Sequence, residues 1–414
     1  MRYRVNEQVV LLCMPKGGPE GPLAAYLSPF AKSLSFQGYS QRHLLREVML
    51  AARFVQWINE TRVVSNCVTS EDTSRYLRYR HRRRRANRGD AVALSRFIAF
   101  LRDKRVIPAE KGQPTQLTAA ERSAQAYGRY LREDRALATA TIINYVPFIR
   151  DFLKDRFGNG PVQLSRLRAG EVARFVQSRV LRLHLLRAKL MTTALRSFFQ
   201  YARFRGKVTL DLAAAVPIVA NWSMTSIPRA IAPGQIRQLL ASIDRHTAIG
   251  RRDYAILLLL ARLGLRSGEV ASLELEDVDW SAGHLSVLGK RGQRSEMPLP
   301  ADVGKAIAAY LRHGRPRSIS RRIFLRVKAP ICGFRGACGV GSIVRHRLQR
   351  ARINAPTRGA HQFRHGLATE MLREGASLAE IGAVLGHRHP DTTRIYTKVD
   401  LTALHTLAQP WPGV

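Results

Sequence analysis

The chain is poor in acidic residues, in cysteine and in long apolar segments. Asp and Glu total 30 against 68 Lys and Arg, which gives a formal net charge of +38 and a sequence pI near 11.4. The longest apolar run, 255–261, is far shorter than the roughly 20 residues that cross a bilayer. The four cysteines lack the spacing of a disulfide framework or a zinc site, which favours a reducing cytoplasm. These shortages argue against a secreted or membrane protein.

The surplus of positive charge indicates a polyanionic partner, because it would otherwise repel itself. We expect DNA and no membrane. The densest cluster spans 75–88 and contains Arg75, Arg78, Arg80, Arg82, Arg83, Arg84, Arg85 and Arg88. Such a cluster favours contacts with the DNA backbone, and a solvated basic surface is the alternative.

A repeat occupies the first half of the chain. The segment that begins at Val68 aligns without gaps with the segment that begins at Leu167, and 93–100 resembles 194–201. Both copies open with an amphipathic stretch, which indicates a duplicated helical domain. Chance similarity between two helical stretches is the alternative. The expected domains are an N-terminal segment at 1–21, helical modules at 22–110 and 117–220, and a final domain at 229–414.

The final domain is predicted to be mainly α-helical with a small antiparallel sheet. Pro233 fits a helix start, and Ser267 is expected to cap a later helix whose first turn holds Glu269. Strands at 284–288 and 295–299 flank a basic hairpin tip that contains Lys290, Arg291 and Arg294, and the two arginines are expected to contact DNA. Further helices are predicted at 252–263, 303–312, 342–353, 361–373 and 378–385.

Four short islands in this domain carry the residues suited to chemistry. They are Leu-Gly-Leu-Arg-Ser-Gly-Glu at 263–269, Leu-Gly-Lys-Arg-Gly at 288–292, His-Gln-Phe-Arg-His-Gly at 361–366, and Leu-Gly-His-Arg-His-Pro at 385–390 followed by Ile-Tyr-Thr at 395–397. Together they supply cations for a phosphate and a phenol that could attack it. Taken singly, Arg266 could be a surface arginine and Tyr396 a core or surface residue. Glu269 could orient Arg266 or only complement a helix dipole.

Two other chemistries fit the islands poorly. His361, His365, His387 and His389 suggest zinc, but no Glu follows His361 as in His-Glu-x-x-His, and Arg364 would place a permanent cation beside the metal. The stretch 283–290 has one residue too many for a phosphate-binding P-loop and is followed by Arg291 instead of Ser or Thr. We therefore expect neither a metal nor a cofactor.

Taken in order, the islands resemble the catalytic domain of tyrosine recombinases, the phage integrase family, over about 229–400. The resemblance implies six catalytic residues and one supporting acid. Arg266 and Arg364 would bind the phosphate, Lys290 would protonate the leaving oxygen, His361 would assist proton transfer, His387 would hydrogen-bond the phosphate, Tyr396 would be the nucleophile, and Glu269 would support Arg266.

The resemblance also implies an activity and an assembly. We expect site-specific recombination of double-stranded DNA through a 3′-phosphotyrosyl bond and a Holliday junction, by a tetramer on two DNA sites. Module 117–220 would be the core-binding domain and 22–110 an additional DNA-binding module. The tail, with Leu401, Leu404 and Leu407, could dock on a neighbouring protomer. A bacterial mobile-element integrase or transposase is favoured. A type IB topoisomerase and a catalytically silent DNA-binding regulator are the alternatives.

Overall fold

The computed structural model describes residues 21–64, 67–83, 87, 89–108, 117–219, 228–289, 292–387 and 389–399. The chain divides into two compact units, one formed by Met1–Glu110 with Met224–Val414 and the other by Lys111–Ser223. In the first unit, the main-chain amide of Ile331 donates to the carbonyl of Gln37 at 2.9 Å. None of the helices within the described ranges has the length and apolarity that crossing a bilayer requires.

The described part of the N-terminal module contains four helices around their own core. A 3₁₀ turn, Ala24–Tyr26, leads into α1 (Leu27–Phe36), α2 (Gln41–Glu60), α3 (Ser70–Arg83) and α4 (Asp90–Asp103). Along α2 the buried positions Leu44, Val48, Ala51 and Val55 recur every three or four residues, so that one face of the helix enters the core.

The second module repeats this order of helices. It contains α5 (Ala119–Glu133), α6 (Thr139–Phe157), α7 (Ala169–Val180) and α8 (Leu185–Phe204), with a 3₁₀ turn at Leu164–Arg166. Thr118 starts α5 with a capping box, in which its hydroxyl accepts from the amide of Glu121 at 3.2 Å.

Matching aromatic pairs occupy matching places in the two cores. Their edge-to-face ring centroids lie 5.1 Å apart in Phe30–Phe97 and 5.2 Å apart in Phe54–Tyr76, against 5.4 Å in Tyr127–Phe198 and 5.0 Å in Phe152–Phe175. Val68 and Leu167, which align in the sequence, are both buried. The two modules therefore share helix order and core contacts, which supports the repeat.

The final domain combines eight helices in its described part with one three-stranded sheet. The helices are α9 (Pro233–Ala241), α10 (Ala248–Arg262), α11 (Ser267–Ser272), α12 (Ala301–His313), α13 (Ala337–Arg350), α14 (His361–Arg373), α15 (Leu378–Leu385) and α16 (Pro390–Thr393), and 3₁₀ turns cover Leu275–Asp277 and Arg394–Val399. The mainly helical fold with a small sheet is thus confirmed.

The sheet is antiparallel, in the order β1 (Val278–Asp279), β2 (His284–Leu288) and β3 (Arg294–Pro298). Leu285 pairs with Met297, and the amide of Gly289 donates to the carbonyl of Gln293 at 2.7 Å where the hairpin closes. The predicted hairpin is therefore confirmed, with its second strand one residue earlier than expected.

The predicted cap of α11 is wrong. Ser267 lies inside the helix, and Arg266, with an extended backbone, precedes it as the N-cap residue. The carboxylate of Glu269 accepts from the main-chain amide of Arg266 at 2.8 Å, so a side chain from the first turn reaches back and satisfies the free amide.

Helix α10 is the centre of the domain and positions the site. Ile256, Leu257 and Leu259 are fully buried, and the helix packs against α12 on one side and α14 on another. A buried ion pair ties it to α13, because Arg347 Nε donates to Asp253 Oδ2 at 2.7 Å. The loop after α10 and the helix α14 are therefore held by one rigid core.

Candidate active site

Helix α14 presents a histidine pair one turn apart. The ring centroids of His361 and His365 lie 4.5 Å apart, edge to face. Burial lowers the pKa of His361, and the nearby guanidinium groups of Arg364 and Arg266 lower it further. Burial also lowers the pKa of His365 to about 4, with His361 and Arg364 adding to the effect. His365 is therefore a neutral imidazole at pH 7.

Arg364, on the same helix, lies almost wholly inside the protein, with 2% of its surface exposed. Its Nη1 donates to the carbonyl of Gly264 at 2.9 Å, and its Nη2 donates to the carbonyl of Leu385. Burial lowers the pKa of Arg364 to about 10, so it keeps its charge at neutral pH. This single cation joins the loop after α10 to the end of α15.

Gly264 is required for this join. Its φ of +58° lies in the left-handed region, and a Cβ there would lie 2.8 Å from Leu385 Cδ2 and 3.0 Å from Leu367 Cδ2. Only a residue without a side chain lets the loop carry its carbonyl to Arg364 and approach α15 this closely.

Arg266 follows Gly264 in the same loop and is held by Glu269. Their side chains form an ion pair, with 2.7 Å between Arg266 Nη1 and Glu269 Oε1. The Glu269 side chain is almost fully buried, whereas a third of the Arg266 side chain is exposed. The carboxylate therefore fixes one edge of the guanidinium and leaves the remaining donors for another anion.

Tyr396 lies in the 3₁₀ turn Arg394–Val399, with 1% of its surface exposed. It belongs to a small apolar cluster with Ala368, Ile381 and Leu385. Its hydroxyl lies 3.0 Å from Nδ1 of His365. Burial raises the pKa of the phenol, an effect that the charge of Arg364 partly offsets. The phenol is thus protonated at neutral pH and needs a base to react.

His387 follows α15, and its ring lies parallel to that of Tyr396, with centroids 6.5 Å apart. Its Nδ1 lies 2.8 Å from the hydroxyl of Thr393, a residue that is 2% exposed. Burial lowers the pKa of His387 to about 4, and Arg364 and Arg266 contribute. This imidazole is also neutral at pH 7.

Comparison with known proteins agrees with this geometry. Residues 229–402 match the phage integrase family, and residues 124–206 match the N-terminal SAM-like domain of phage integrases. A homologue in Sinorhizobium fredii, named integrase/recombinase y4rA, is 55% identical over 413 residues, covering 100% of this chain and 99% of its own. The chain belongs to the phage integrase family of tyrosine recombinases.

More distant relatives and solved structures extend the likeness. This tyrosine recombinase is 28% identical to XerD of Mycobacterium tuberculosis, over 70% of this chain and 96% of that one. It shares the fold of the XerH recombinase bound to a palindromic difH substrate, with TM-score 0.55 and 19% identity over 70% of this chain and 84% of that one. A lambda integrase dimer bound to a core site has TM-score 0.52 and 16% identity, over 71% of this chain and 98% of that one. The recombinase acts in site-specific DNA recombination.

The structure brings most of the predicted catalytic residues of the recombinase together with Glu269. Arg266, Glu269, His361, Arg364, His387 and Tyr396 surround one location, linked by the hydrogen bonds, ring contacts and charge effects above. Lys290 and Arg291 lie outside the described residues. Arg294 forms an ion pair with Asp277, with 3.0 Å between Nη1 and Oδ1.

The arginines of the cluster in the N-terminal module have different surroundings. Arg80 forms an ion pair with the buried Asp90 at 3.2 Å, so it helps to hold α3 on α4. The exposed members are Arg75, Arg78, Arg82 and Arg83, whereas Arg84, Arg85 and Arg88 lie outside the described residues, as do Leu401, Leu404 and Leu407 of the tail. The exposed arginines remain candidates for DNA contacts.

Two residues of the site were not predicted from the sequence. His365 was considered only as a zinc ligand, although its position one turn after His361 places both on one face of a helix. Thr393 carries no sequence signal, since its contact with His387 depends on the turn between α15 and Tyr396. Within the described part of the chain, no three His, Cys, Asp or Glu side chains are grouped closely enough to hold a metal ion.

Proposed function

We propose that this tyrosine recombinase breaks and rejoins DNA with Tyr396 as the nucleophile. The phenol oxygen attacks the scissile phosphorus, a 3′-phosphotyrosyl bond forms, and the bond from phosphorus to the 5′ oxygen breaks. One observation carries the proposal: the Tyr396 hydroxyl lies beside a neutral imidazole in a pocket that also holds Arg364, a cation fixed by two carbonyls.

The charges around Tyr396 suit a phosphate that becomes more negative as it is attacked. Arg266 and Arg364 would bind its non-bridging oxygens through charge-assisted hydrogen bonds. Both cations are positioned before DNA arrives, one by Glu269 and the other by main-chain carbonyls. Little reorganisation is then needed in the transition state.

The remaining site residues divide the hydrogen-bonding and proton-transfer roles. His387 would donate to the phosphate through Nε2, because Thr393 occupies its Nδ1. His361 would assist proton transfer at the nucleophile, in keeping with its ring contact with His365. Lys290 would give a proton to the departing 5′ oxygen from the tip of the hairpin.

The proposed bond to Tyr396 conserves the energy of the broken phosphodiester. A 5′ hydroxyl from a partner duplex can reverse the step, so strands are exchanged through a Holliday junction without ATP, metal or cofactor. This exchange requires two duplexes and, as we propose, four protomers, with the tail after Tyr396 docking on a neighbour.

The two helical modules would hold the DNA. The match of 124–206 to the SAM-like domain supports residues 117–220 as the core-binding domain. The shared helix order and aromatic pairs support residues 22–110 as a second module of the same kind. Its exposed arginines on α3, including Arg82 and Arg83, would contact phosphates.

A role in a mobile element is the favoured biological setting. A structure of the Tn1549 transposon integrase with a circular intermediate DNA shares this fold, with TM-score 0.52 and 15% identity. The high net charge and the additional module are in keeping with this role.

Sequencing the DNA that becomes covalently attached to the chain tests the proposal. The expected result is one short target sequence, cleaved with the protein on the 3′ phosphate, and junction intermediates when two such sites are supplied. Relaxation of supercoils without junctions would favour a topoisomerase activity, and binding without an adduct would favour a silent regulator.

A further inference from the structure

The hydroxyl of Tyr396 and the Nδ1 atom of His365 lie 3.0 Å apart in a partly buried position. The two rings meet edge to face, with centroids 5.7 Å apart. They come from separate elements, since His365 belongs to α14 and Tyr396 to the 3₁₀ turn at Arg394–Val399. This contact places an imidazole nitrogen on the atom that the proposed function makes the nucleophile.

The state of both partners fixes the direction of a proton transfer between them. The phenol is protonated, because burial raises its pKa. The imidazole of His365 is neutral, because burial and the neighbouring His361 and Arg364 keep its pKa near 4. A neutral imidazole has one ring nitrogen free to accept, and here that nitrogen is the one facing the hydroxyl when the proton resides on Nε2.

We propose that His365 accepts the proton of Tyr396 as the phenol attacks the phosphate. The inference rests on the proposed role of Tyr396 and adds an active-site residue beyond the predicted set. In this step the O–H bond of Tyr396 breaks, the proton bonds to Nδ1 of His365, the phenol oxygen bonds to phosphorus, and the bond to the 5′ oxygen breaks. The 5′ oxygen takes its proton from a separate donor, the role proposed for Lys290.

The neighbours of His365 make it a better acceptor during attack than before it. The groups that face it are His361 and Arg364 from its own helix, Tyr396 from the 3₁₀ turn and His387 from the turn after α15. Before DNA binds, the charge of Arg364 disfavours an imidazolium at His365. Once a DNA phosphate neutralises Arg364, that penalty is reduced and the proton can move to Nδ1.

The decisive variant is His365→Asn, because an asparagine side chain can offer an oxygen near the position of Nδ1 without acting as a base. Covalent adduct formation is measured in single turnover on a nicked target duplex, with the wild type and Y396F alongside. We expect H365N to bind DNA normally and to form the adduct about 10²–10⁴-fold more slowly, the usual contribution of general base catalysis. A wild-type rate for H365N would overturn the proposal.

The dependence of the rate on pH separates a proton acceptor from a positioning residue. Between pH 6 and 8 the wild-type rate should be flat, because His365 is already neutral. The H365N rate should rise with pH, since its phenol must ionise before it attacks. A slow but pH-independent H365N would mean that His365 only positions Tyr396, which would contradict the proposal.

His361→Asn is the matched control, one turn away on the same helix, because the proposed function has His361 assist the transfer whereas the inference places the proton itself on His365. It should slow the reaction less than H365N and leave the rate independent of pH. The opposite pattern, with steep pH dependence in H361N and none in H365N, would assign the proton to His361 and overturn the inference.

A substrate with sulfur in place of the bridging 5′ oxygen shows whether H365N impairs the attack or the departure of the leaving group, because a thiolate leaves without being protonated. The H365N defect should persist on this substrate, and its disappearance would place His365 at the leaving group and overturn the inference. The proposed function fails separately, because an adduct formed by Y396F would rule out Tyr396 as the nucleophile. If Y396F forms no adduct while H365N is fully active, only the role of His365 is refuted.

Discussion

The hydroxyl of Thr393 lies 2.8 Å from Nδ1 of His387, and Thr393 is almost completely buried. This contact fixes the ring of His387 and leaves Nε2 as its outward nitrogen. The threonine precedes Tyr396 by less than one turn of chain. The second histidine and the nucleophile are therefore oriented by the same short segment.

Replacing Thr393 with valine keeps the shape of the side chain and removes its hydroxyl. We expect T393V to slow adduct formation by up to about tenfold, because one hydrogen bond that orients His387 is lost. DNA affinity should not change. Thr397→Val is the control, since the Thr397 hydroxyl donates to the carbonyl of Arg394 on the exposed side of the same turn. Equal rates for T393V and wild type would show that His387 needs no such support.

Replacing Tyr396 with phenylalanine removes a single oxygen from a buried ring. Covalent attachment to DNA should be abolished, while DNA affinity should stay within about twofold because the ring remains. The measurements are adduct formation on gels and a binding titration. An adduct with Y396F would mean that another residue attacks the phosphate.

Replacing Gly264 with alanine should damage both the fold and the reaction. The backbone there has positive φ and the new methyl group would meet Leu385 and Leu367, so a loss of at least about 2 kcal/mol in stability is expected. Adduct formation should also slow, because the carbonyl of Gly264 holds Arg364. Chemical denaturation and single-turnover kinetics measure the two effects.

Gly341 is the control for that substitution. It lies inside α13, and a methyl group added there would have no neighbouring atom within 4 Å, so G341A should leave stability unchanged or raise it slightly. A G264A protein as stable as G341A would show that the loop can relax around a side chain.

The imidazoles of the site should make the protein sensitive to acid. The pKa values of His365 and His387 are about 4 when folded, against 6.5 for an unperturbed imidazole. Between these values the unfolded chain binds protons that the folded chain does not, so stability is full above about pH 6.5 and falls as the pH decreases toward 4. As the pH decreases over this range, the melting temperatures of H365N and H387N should fall less steeply than that of the wild type. The variant H246N is the control, because His246 is exposed.

The arginine cluster of the N-terminal module should contribute to the salt dependence of DNA binding. Each phosphate contact contributes about 0.9 to the slope of log affinity against log salt, so replacing 82–85 with alanine should flatten the slope by about two to four. Arg80→Ala is the control, because Arg80 pairs with Asp90 and its loss should affect stability more than the slope. An unchanged slope in the quadruple variant would show that the cluster faces solvent or another partner.

Patterns within short segments predicted much of the fold. The predicted bounds of α14 and α15 agree with the structure, and Pro233 starts α9 as its fixed φ favours. The order and spacing of the islands likewise indicated which side chains share a site. The helix bounds are local features that neighbouring residues determine, whereas the shared site was indicated by the resemblance of the ordered islands to a known family.

Contacts between side chains of different helices and turns could not be read from the sequence. The pairing of His365 with Tyr396 depends on how the last 3₁₀ turn packs on α14, and the pairing of Arg80 with Asp90 depends on how α3 meets α4. Even the start of α11 was misassigned, because Glu269 reaches back to the amide of Arg266 and makes a serine cap unnecessary. The first two pairings are chosen by packing between elements, whereas the start of α11 depends on which of two local caps forms.

The partners of Arg364 are main-chain oxygens, from Gly264 and Leu385, and not side chains. Every amino acid carries such an oxygen, so substitutions around the arginine can change size and polarity without removing the groups that hold it. The location of this positive charge is therefore a property of the path of the chain. A relative that preserves the arginine, the glycine and these two turns would retain the charge in the same place, however far its other residues had diverged.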